Sequence, residues 1–474
     1  MTNDVALRYL LMIRLFRVFV PVGSLALLVS EILLVSSAFI LSTYIVMEVD
    51  PTIFLLYDGG LGRILLAMAS IVFGLYLQDL YSNIRIKSRT LLVQQLCLVF
   101  GSALLAQGVI SYLNINLRVP IRVMMLGSFL SMTGILLWRM VFSSYALQVV
   151  GSERLLMVGA SPLLEDIGKH IEEHPEMGLQ VVGFVNDNPE GAGLLHSGKM
   201  LGDIGELTGI VRATRPDRII VGLSERRNRV PMSELLELRF AGFLIEEAAT
   251  AYEKVCGRIC LKELRPAQLI YSGELEPQRQ SLLYQNLTNM TLAAFGLLVS
   301  LPVMLLTAIA VRLSSAGPVL YQQTRVGLNG STFTLYKFRS MNVNAEAATG
   351  AVWASRGDPR VTRVGRIIRS LRIDETPQLI NVLKREMSIV GPRPERPEFV
   401  HALSDKIPYY RQRLCVRPGI TGWAQINYKY GDTLEDTMRK LEYDLYYIKH
   451  ISASLDMYII FNTIKAMLLS RGAQ

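Results

Sequence analysis

Gly365 to Pro394 reads GRIIRSLRIDETPQLINVLKREMSIVGPRP, with the adjacent carboxylates Asp374 and Glu375 near its centre. Thr376 and Pro377 follow, a good N-cap and a preferred first helical residue, and Leu379, Ile380 and Leu383 then recur at helical spacing. This places the two acids just outside a helix start, where free N–H groups and the helix dipole favour anions, whether carboxylates or a bound phosphate. Upstream, Arg363, Arg366, Arg369 and Arg372 alternate with Val364, Ile367, Ile368 and Leu371, which predicts a short helix with one basic and one apolar face. Such a helix suits a membrane surface beside anionic ligands.

Two further segments flank this stretch, KFRSM (Lys337 to Met341) before it and RPGITGWAQIN (Arg417 to Asn427) after it. Together with DETPQLINVL and MSIVGPRP (Met387 to Pro394) they resemble the catalytic domain of bacterial phosphoglycosyl transferases. These are the sugar transferases that start exopolysaccharide and O-antigen chains on a polyprenyl phosphate. The specificity lies in four motifs in one order, since an isolated Asp-Glu pair carries no such message. The chain is also similar to the long members of that family, with a membrane-embedded N-terminal region, a nucleotide-fold-like middle and this C-terminal domain. One departure stands out: the family usually has a Gly before the acidic residue that precedes MS-x-VGPRP, and here Arg385 precedes Glu386. A side chain at that place argues against any turn needing a positive φ.

Composition agrees with membrane residence. Of the 474 residues, 51% are hydrophobic and 19% charged, more apolar than a soluble core requires. The net charge of +9 comes from Arg clusters interleaved with apolar residues, which suits anionic lipid head groups and phosphorylated substrates rather than nucleic acid. Cys97, Cys256, Cys260 and Cys415 form no disulfide framework, and Cys256 and Cys260 lack a second ligand pair for zinc. Residues 1–150 hold four apolar runs, Val18 to Met47, Leu61 to Leu77, Leu91 to Leu113 and Val123 to Leu147, each near the ~20 residues that cross a bilayer. Arg8, Arg14 and Arg17 precede the first run, and Arg85, Lys87 and Arg89 lie between the second and third. The loop with Glu48, Asp50 and Asp58 carries only Arg63, so the positive-inside rule puts the N-terminus and the middle loop in the cytoplasm. Arg118 and Arg122 count against this assignment but are outnumbered.

From 151 to 270 the composition turns soluble. Strands are expected at Arg154 to Ser161, Val181 to Asp187 and Arg218 to Leu223, with helices at Leu163 to Ile171 and Met232 to Gly242. That alternation predicts an open, Rossmann-like α/β sheet. Gly159-Ala160-Ser161-Pro162 does not supply the dinucleotide fingerprint, so the domain is read first as structural, regulatory or oligomerising, with nucleotide binding as the lesser alternative. His170 and His174, one turn apart, read as a solvated helix face.

The third region, 271–474, opens with a polar linker and a second membrane element. Leu292 to Val311 is apolar for about the length of a span, interrupted by Ser300 and Pro302. A fifth crossing would put Asp374 and Glu375 outside the cell, whereas a helix kinked at the proline can enter and leave on one face. The resemblance implies the second arrangement, a monotopic domain held by a re-entrant helix at about 288–312 that breaks at Ser300 and Pro302. Tyr321 to Met341 predicts a hairpin turning at Asn329-Gly330 and delivering Lys337 and Arg339. With Arg363, Arg366 and Arg393 these form a diphosphate-binding set, and Arg417 adds a contact to substrate. Ser454 to Leu469 fits an interfacial helix.

The chemistry follows from that set. A carboxylate beside phosphate-binding cations can attack phosphorus, with Mg2+ neutralising the diphosphate. The resemblance implies that Asp374 attacks the sugar-bearing phosphate of a UDP-sugar, releases UMP, and hands the phosphosugar to polyprenyl (undecaprenyl) phosphate. It also implies that Glu375 binds the magnesium or assists the acceptor. The site then faces the cytoplasm at the bacterial inner membrane, with membrane lipids as partners; the middle domain and the extra spans are compatible with a homodimer, and the sequence leaves the oligomeric state open. Two rivals are a catalytically inactive scaffold of a polysaccharide assembly system and a sugar-nucleotide-modifying enzyme working through the middle domain.

Overall fold

The structure is a computed structural model and describes residues 12–15, 18–48, 50–78, 80–81, 89–149, 153–174, 177–187, 199–222, 231–264, 275–277, 279–342, 360–428 and 433–468. Arg8, Arg17, Arg85 and Lys87 of the charge argument lie outside them. The chain divides at Ala251/Tyr252 into two compact units, apart from Phe16–Val18, which groups with the second.

The first unit begins with two short paired strands, β1 (Met12–Leu15) and β2 (Val18–Pro21). The first apolar run is therefore helical only from Val22. Four helices follow: α1 (Val22–Val46), α2 (Gly60–Leu77), α3 (Arg89–Leu113) and α4 (Ile121–Val149). All four hold segments long and apolar enough to cross a membrane. Their shared core is aliphatic and aromatic, with Val35, Phe39, Ile71, Leu96 and Ile135 fully enclosed. Arg63 bonds the carbonyl of Asp58 at 2.7 Å and the carbonyl of Arg118 at 3.4 Å. The loops after α1 and α3 thus meet, and their acids stand among the basic residues that counted against the topology. Inside the bundle Arg139 meets Glu31 through two nitrogens, at 2.7 and 3.0 Å, and its third nitrogen donates to the carbonyl of Leu80 at 2.8 Å.

The same unit contains an all-parallel five-stranded sheet. Its strands are β3 (Glu153–Val158), β4 (Leu179–Val185), β5 (Met200–Gly202), β6 (Arg218–Val221) and β7 (Leu244–Glu247), in the order β5-β4-β3-β6-β7. The helices are α5 (Pro162–Glu173), α6 (Leu207–Thr214), α7 (Met232–Phe240) and α8 (Ala248–Cys256). With the first strand central, this is the doubly wound order. Gly159 turns at φ 102°, and Ser161 caps α5 by accepting the N–H of Leu164. Strands β5 and β7, three and four residues long, are too short for a clear alternation signal.

The second unit is built on α9 (Arg279–Ser314), 36 residues long with Pro302 inside. The hairpin β8 (Leu320–Val326) and β9 (Thr332–Phe338) turns where expected, with Asn329 at φ 53° and Gly330 at φ 84°. Next come α10 (Arg363–Ser370), α11 (Gln378–Leu383), β10 (Ser388–Val390), α12 (Pro397–Lys406), β11 (Gly419–Thr421), α13 (Trp423–Asn427), α14 (Leu434–His450) and α15 (Ala453–Leu468). Residues ahead of 271 belong to this unit: Ile259 and Leu261 share a core with Trp423, Leu445 and Tyr446. Helix α15 buries Leu455 and Ile459 and exposes Met457, Phe461, Ile464 and Met467, two faces as an interfacial helix requires.

Helical backbone continues through Ser300 and Pro302, so the expected break is not an interruption of the helix. Ser300 turns its hydroxyl back to the carbonyl of Leu297. A continuous stripe faces the rest of the unit. Gln285, Asn289 and Ala293 are buried in the N-terminal half, and Thr307 and Val311 in the C-terminal half. Ala293 packs with Leu335, Val382 and Met387; Val311 packs with Phe338 and Ile368. Phe295, Leu298, Val299, Leu305, Leu306 and Ile309 point away and are exposed.

Candidate active site

Three backbone devices converge on Asp374 and Glu375. The first is the entry of α10. Thr362 caps it, its hydroxyl accepting the N–H of Gly365 at 2.8 Å, while Thr362 N–H bonds the carbonyl of Ser340 at 3.0 Å. A Cβ at Gly365 would stand 1.9 Å from that carbonyl oxygen, so only glycine lets the helix start lie on the exit of β9.

The second is the link between α10 and α11. Arg372 takes a left-handed conformation at φ 54°, and Ile373–Glu375 form a single 3-10 turn that runs straight into α11. Thr376 is itself helical and bonds back to the carbonyl of Ile373 at 2.8 Å, so it does not cap α11. The acids therefore sit within a tight turn rather than outside a capped helix. Asn381, fully buried, ties that turn to the hairpin by donating to the carbonyl of Thr334 at 2.7 Å and accepting the N–H of Tyr336 at 3.2 Å.

The third is the turn that carries Arg393. Gly391 N–H bonds the carbonyl of Thr421 and Gly419 N–H bonds that of Pro392, both at 2.9 Å. A Cβ on Gly419 would lie 2.1 Å from the Gly391 nitrogen, which explains why GPRP and RPGITG carry glycines back to back. Arg413, itself buried and paired with Asp444 at 2.9 Å, donates to the carbonyl of Arg393 at 3.0 Å, and Arg325 donates to that of Pro394 at 2.9 Å.

The result is an asymmetric pair. Glu375 Oε1 receives Lys337 Nζ at 2.8 Å and Arg393 Nη2 at 3.2 Å. Burial works against ionisation of Glu375, but Lys337 and Arg393, with Arg372 near, outweigh it and hold the carboxyl well below the usual range. Asp374 is buried, and among the described residues no hydrogen bond or ion pair reaches its carboxylate. Burial pushes its carboxyl up to about 6, helped by the charge of Glu375 and opposed by Lys337, Arg369 and Arg393. One acid is therefore fixed as an anion, and its neighbour is dry and unengaged.

The remaining expected residues scatter. Arg339 is buried away from the acids, where it closes the end of α9 by donating to the carbonyls of Ala316 at 3.0 Å and Ser315 at 2.7 Å. The strand ends at Phe338, so the alternation that puts Lys337 at the site does not extend to Arg339. Arg363 and Arg366 are exposed on α10; Arg369 and Arg372, nearer the turn, are the ones whose charge reaches the acids. Arg417 donates to Asn286 at the start of α9. Arg385, expected to forbid a positive φ, adopts φ 61°: the turn after α11 is left-handed although no glycine occupies it.

A carboxylate pair, one member buried and one partly buried, with cations beside it, on a unit whose long helix exposes an apolar side, marks a membrane-bound enzyme site for a phosphorylated substrate. Residues 280–470 match the family described as bacterial sugar transferase, and residues 76–230 match the one described as CoA-binding domain. A UDP-glucose:undecaprenyl-phosphate glucose-1-phosphate transferase of Klebsiella pneumoniae is 32% identical over 327 residues, 68% of this chain and 69% of that protein. A UDP-N-acetylgalactosamine-undecaprenyl-phosphate N-acetylgalactosaminephosphotransferase of Aeromonas hydrophila is 45% identical over 222 residues, 47% of this chain and 52% of its own length. An Escherichia coli glucose-1-phosphate transferase of the same description as the Klebsiella one is 34% identical over 304 residues, 63% of this chain and 64% of that protein. The chain belongs to the bacterial polyprenyl-phosphate phosphoglycosyl transferases. It spans about half the length of the Aeromonas relative.

Proposed function

We propose that this chain transfers a sugar 1-phosphate from a UDP-sugar to polyprenyl phosphate at the cytoplasmic face of the inner membrane, opening exopolysaccharide or O-antigen synthesis. The observation that carries the reading is the unpartnered, buried Asp374 beside a Glu375 already neutralised by Lys337 and Arg393. Asp374 attacks the sugar-bearing phosphorus; an oxygen–phosphorus bond forms, the bond to the bridging oxygen breaks, and UMP leaves with that oxygen. A phosphate oxygen of the polyprenyl acceptor then attacks the same phosphorus and expels the Asp374 carboxylate. Lys337 and Arg393 already stand at Glu375, and their positive charges offset the charge that develops on the phosphoryl oxygens.

The residues fit magnesium. Asp374 and the second oxygen of Glu375 are carboxylate donors close together, and such an ion is held by one or two carboxylates plus substrate phosphates. When bound there, magnesium supplies neutralisation of the diphosphate and stabilisation of the leaving nucleotide. The docking of both halves of α9's buried stripe on one unit supports a re-entrant arrangement, with both ends on one side and the exposed middle, Phe295 to Ile309, in the bilayer.

The test is UMP release from a panel of UDP-sugars by the full chain in detergent, with magnesium and polyprenyl phosphate, for wild type and Asp374→Asn. Acceptor-dependent UMP from one donor, lost in Asp374→Asn, is expected and identifies the sugar. Silence of folded wild type across the panel overturns the reading in favour of an inactive scaffold.

A further inference from the structure

Strand β10 has a partner, β11, on one side only. Its other edge is closed by side chains. Asn289 of α9, buried at 7% exposure, uses both ends of its amide on consecutive residues: Nδ2 donates to Ser388 Oγ at 2.7 Å, and Oδ1 accepts the N–H of Ile389 at 3.1 Å. One turn earlier, Gln285 donates to Tyr447 Oη at 2.6 Å and to Asp456 at 2.9 Å. Tyr447 Oη lies 3.1 Å from the carbonyl of Val390 and 2.7 Å from Asp456. All five of these side chains are buried, and they connect three helices to a strand of three residues. Three residues beyond that strand stands Arg393, on Glu375.

We infer that Asn289, with Gln285 behind it, is a positioning residue that sets Arg393 over Glu375 according to how α9 is seated. The inference rests on the transferase reading for its catalytic consequence, but not for its geometry. An amide that mimics the missing strand edge is directional: it satisfies Ile389 only in one register of α9 against β10. A slide or rotation of the membrane helix breaks both bonds and leaves the residues that lead to Arg393 held by β11 and Tyr447 without the clamp on their outer edge. Arg325 and Arg413 grip the turn only from Arg393 onward, so they do not substitute for the clamp on Ser388 and Ile389. An apolar residue at 289 would leave the Ile389 N–H and the Ser388 hydroxyl without these partners and fix no register.

Two readouts test this in the full chain. Hydrogen exchange of the peptide covering 388–393 is expected to quicken in Asn289→Ala while the β9 peptide stays unchanged; unchanged exchange at 388–393 overturns the clamp. UMP release is expected to fall about tenfold in kcat for Asn289→Ala. In an Arg393→Lys background the same substitution should cost less than about twofold, because the path to Glu375 is already impaired. Equal losses in both backgrounds would mean that Asn289 matters only to general stability, and the positioning role would fall. If wild type releases no UMP while 388–393 exchange still depends on Asn289, the functional reading fails and the clamp remains a structural device. Should Asn289→Ala not fold, Ser388→Ala removes one of its two bonds and takes its place in both assays.

Discussion

Glu31 in the membrane bundle, buried, and Glu375 in the catalytic unit, partly buried, are both acids held by an arginine. Arg139 answers Glu31 through two nitrogens, and its spare nitrogen is taken by the carbonyl of Leu80, so the pair is closed on itself. Glu375 has Lys337 and Arg393 on one oxygen, a second carboxylate beside it, and the charges of Arg369 and Arg372 near the pair. The charges of four cations act on the two acids, and Asp374 keeps no bond of its own among the described residues. A closed pair holds helices together; an unengaged carboxylate beside cations suits chemistry on an anion.

That contrast can be broken from either side. Asp374→Asn should remove UMP release by about 10³-fold or more while thermal stability holds or rises, since among the described residues no group bonds that carboxylate and burial disfavours its charge. Arg139→Leu should do the reverse. It strands Glu31 without its partner and costs about 3–5 kcal/mol of stability, whereas Glu31→Leu with Arg139→Leu should be near neutral; unfolding of the detergent-solubilised protein measures both. If Arg139→Leu instead lowered turnover at unchanged stability, the two clusters would not differ in kind.

Smaller effects sharpen the difference. Lys337→Ala leaves Glu375 with Arg393 alone and should lower kcat/KM about 10²-fold, a loss that Lys337→Arg partly restores. The carboxyl of Asp374 is pushed up to about 6 by burial, and attack requires the anion, so the metal-free protein should lose reactive Asp374 as pH falls through that value. At one pH unit below it, about a tenth of the carboxyl remains ionised, and a carbon-13 NMR titration of the residue reads this directly. Arg385→Gly relieves a left-handed side-chain residue and should raise stability by about 1 kcal/mol with turnover unchanged.

The parts legible in the sequence were those set by local rules. Asn329-Gly330 announces its hairpin because that pair tolerates positive φ at both positions, and the apolar runs announce four helices by length alone. Lys337 and Arg393 were legible as cations near the acids. Arg339 was misplaced because strand alternation ends one residue before it. Arg369 and Arg372 were missed as members of the site because only the left-handed Arg372 turns the chain toward the acids, and nothing local in Leu371-Arg372-Ile373 signals that conformation. Thr376-Pro377 satisfied the sequence rule for a helix start, yet the 3-10 turn before it already supplied the entry. Asn289 was invisible for a different reason: its role is set by a strand a hundred residues away.

Helix α9 has one more consequence. It is docked on its own unit through Gln285 and Asn289 at one end and Thr307 and Val311 at the other, so the protein fixes where its exposed section lies. A helix that spans a bilayer must tilt or compress it when acyl chains lengthen. In the re-entrant arrangement proposed above α9 reaches a single leaflet, so turnover should vary less than about twofold across nanodiscs of differing acyl-chain length, while the stability of the four-helix region follows that length.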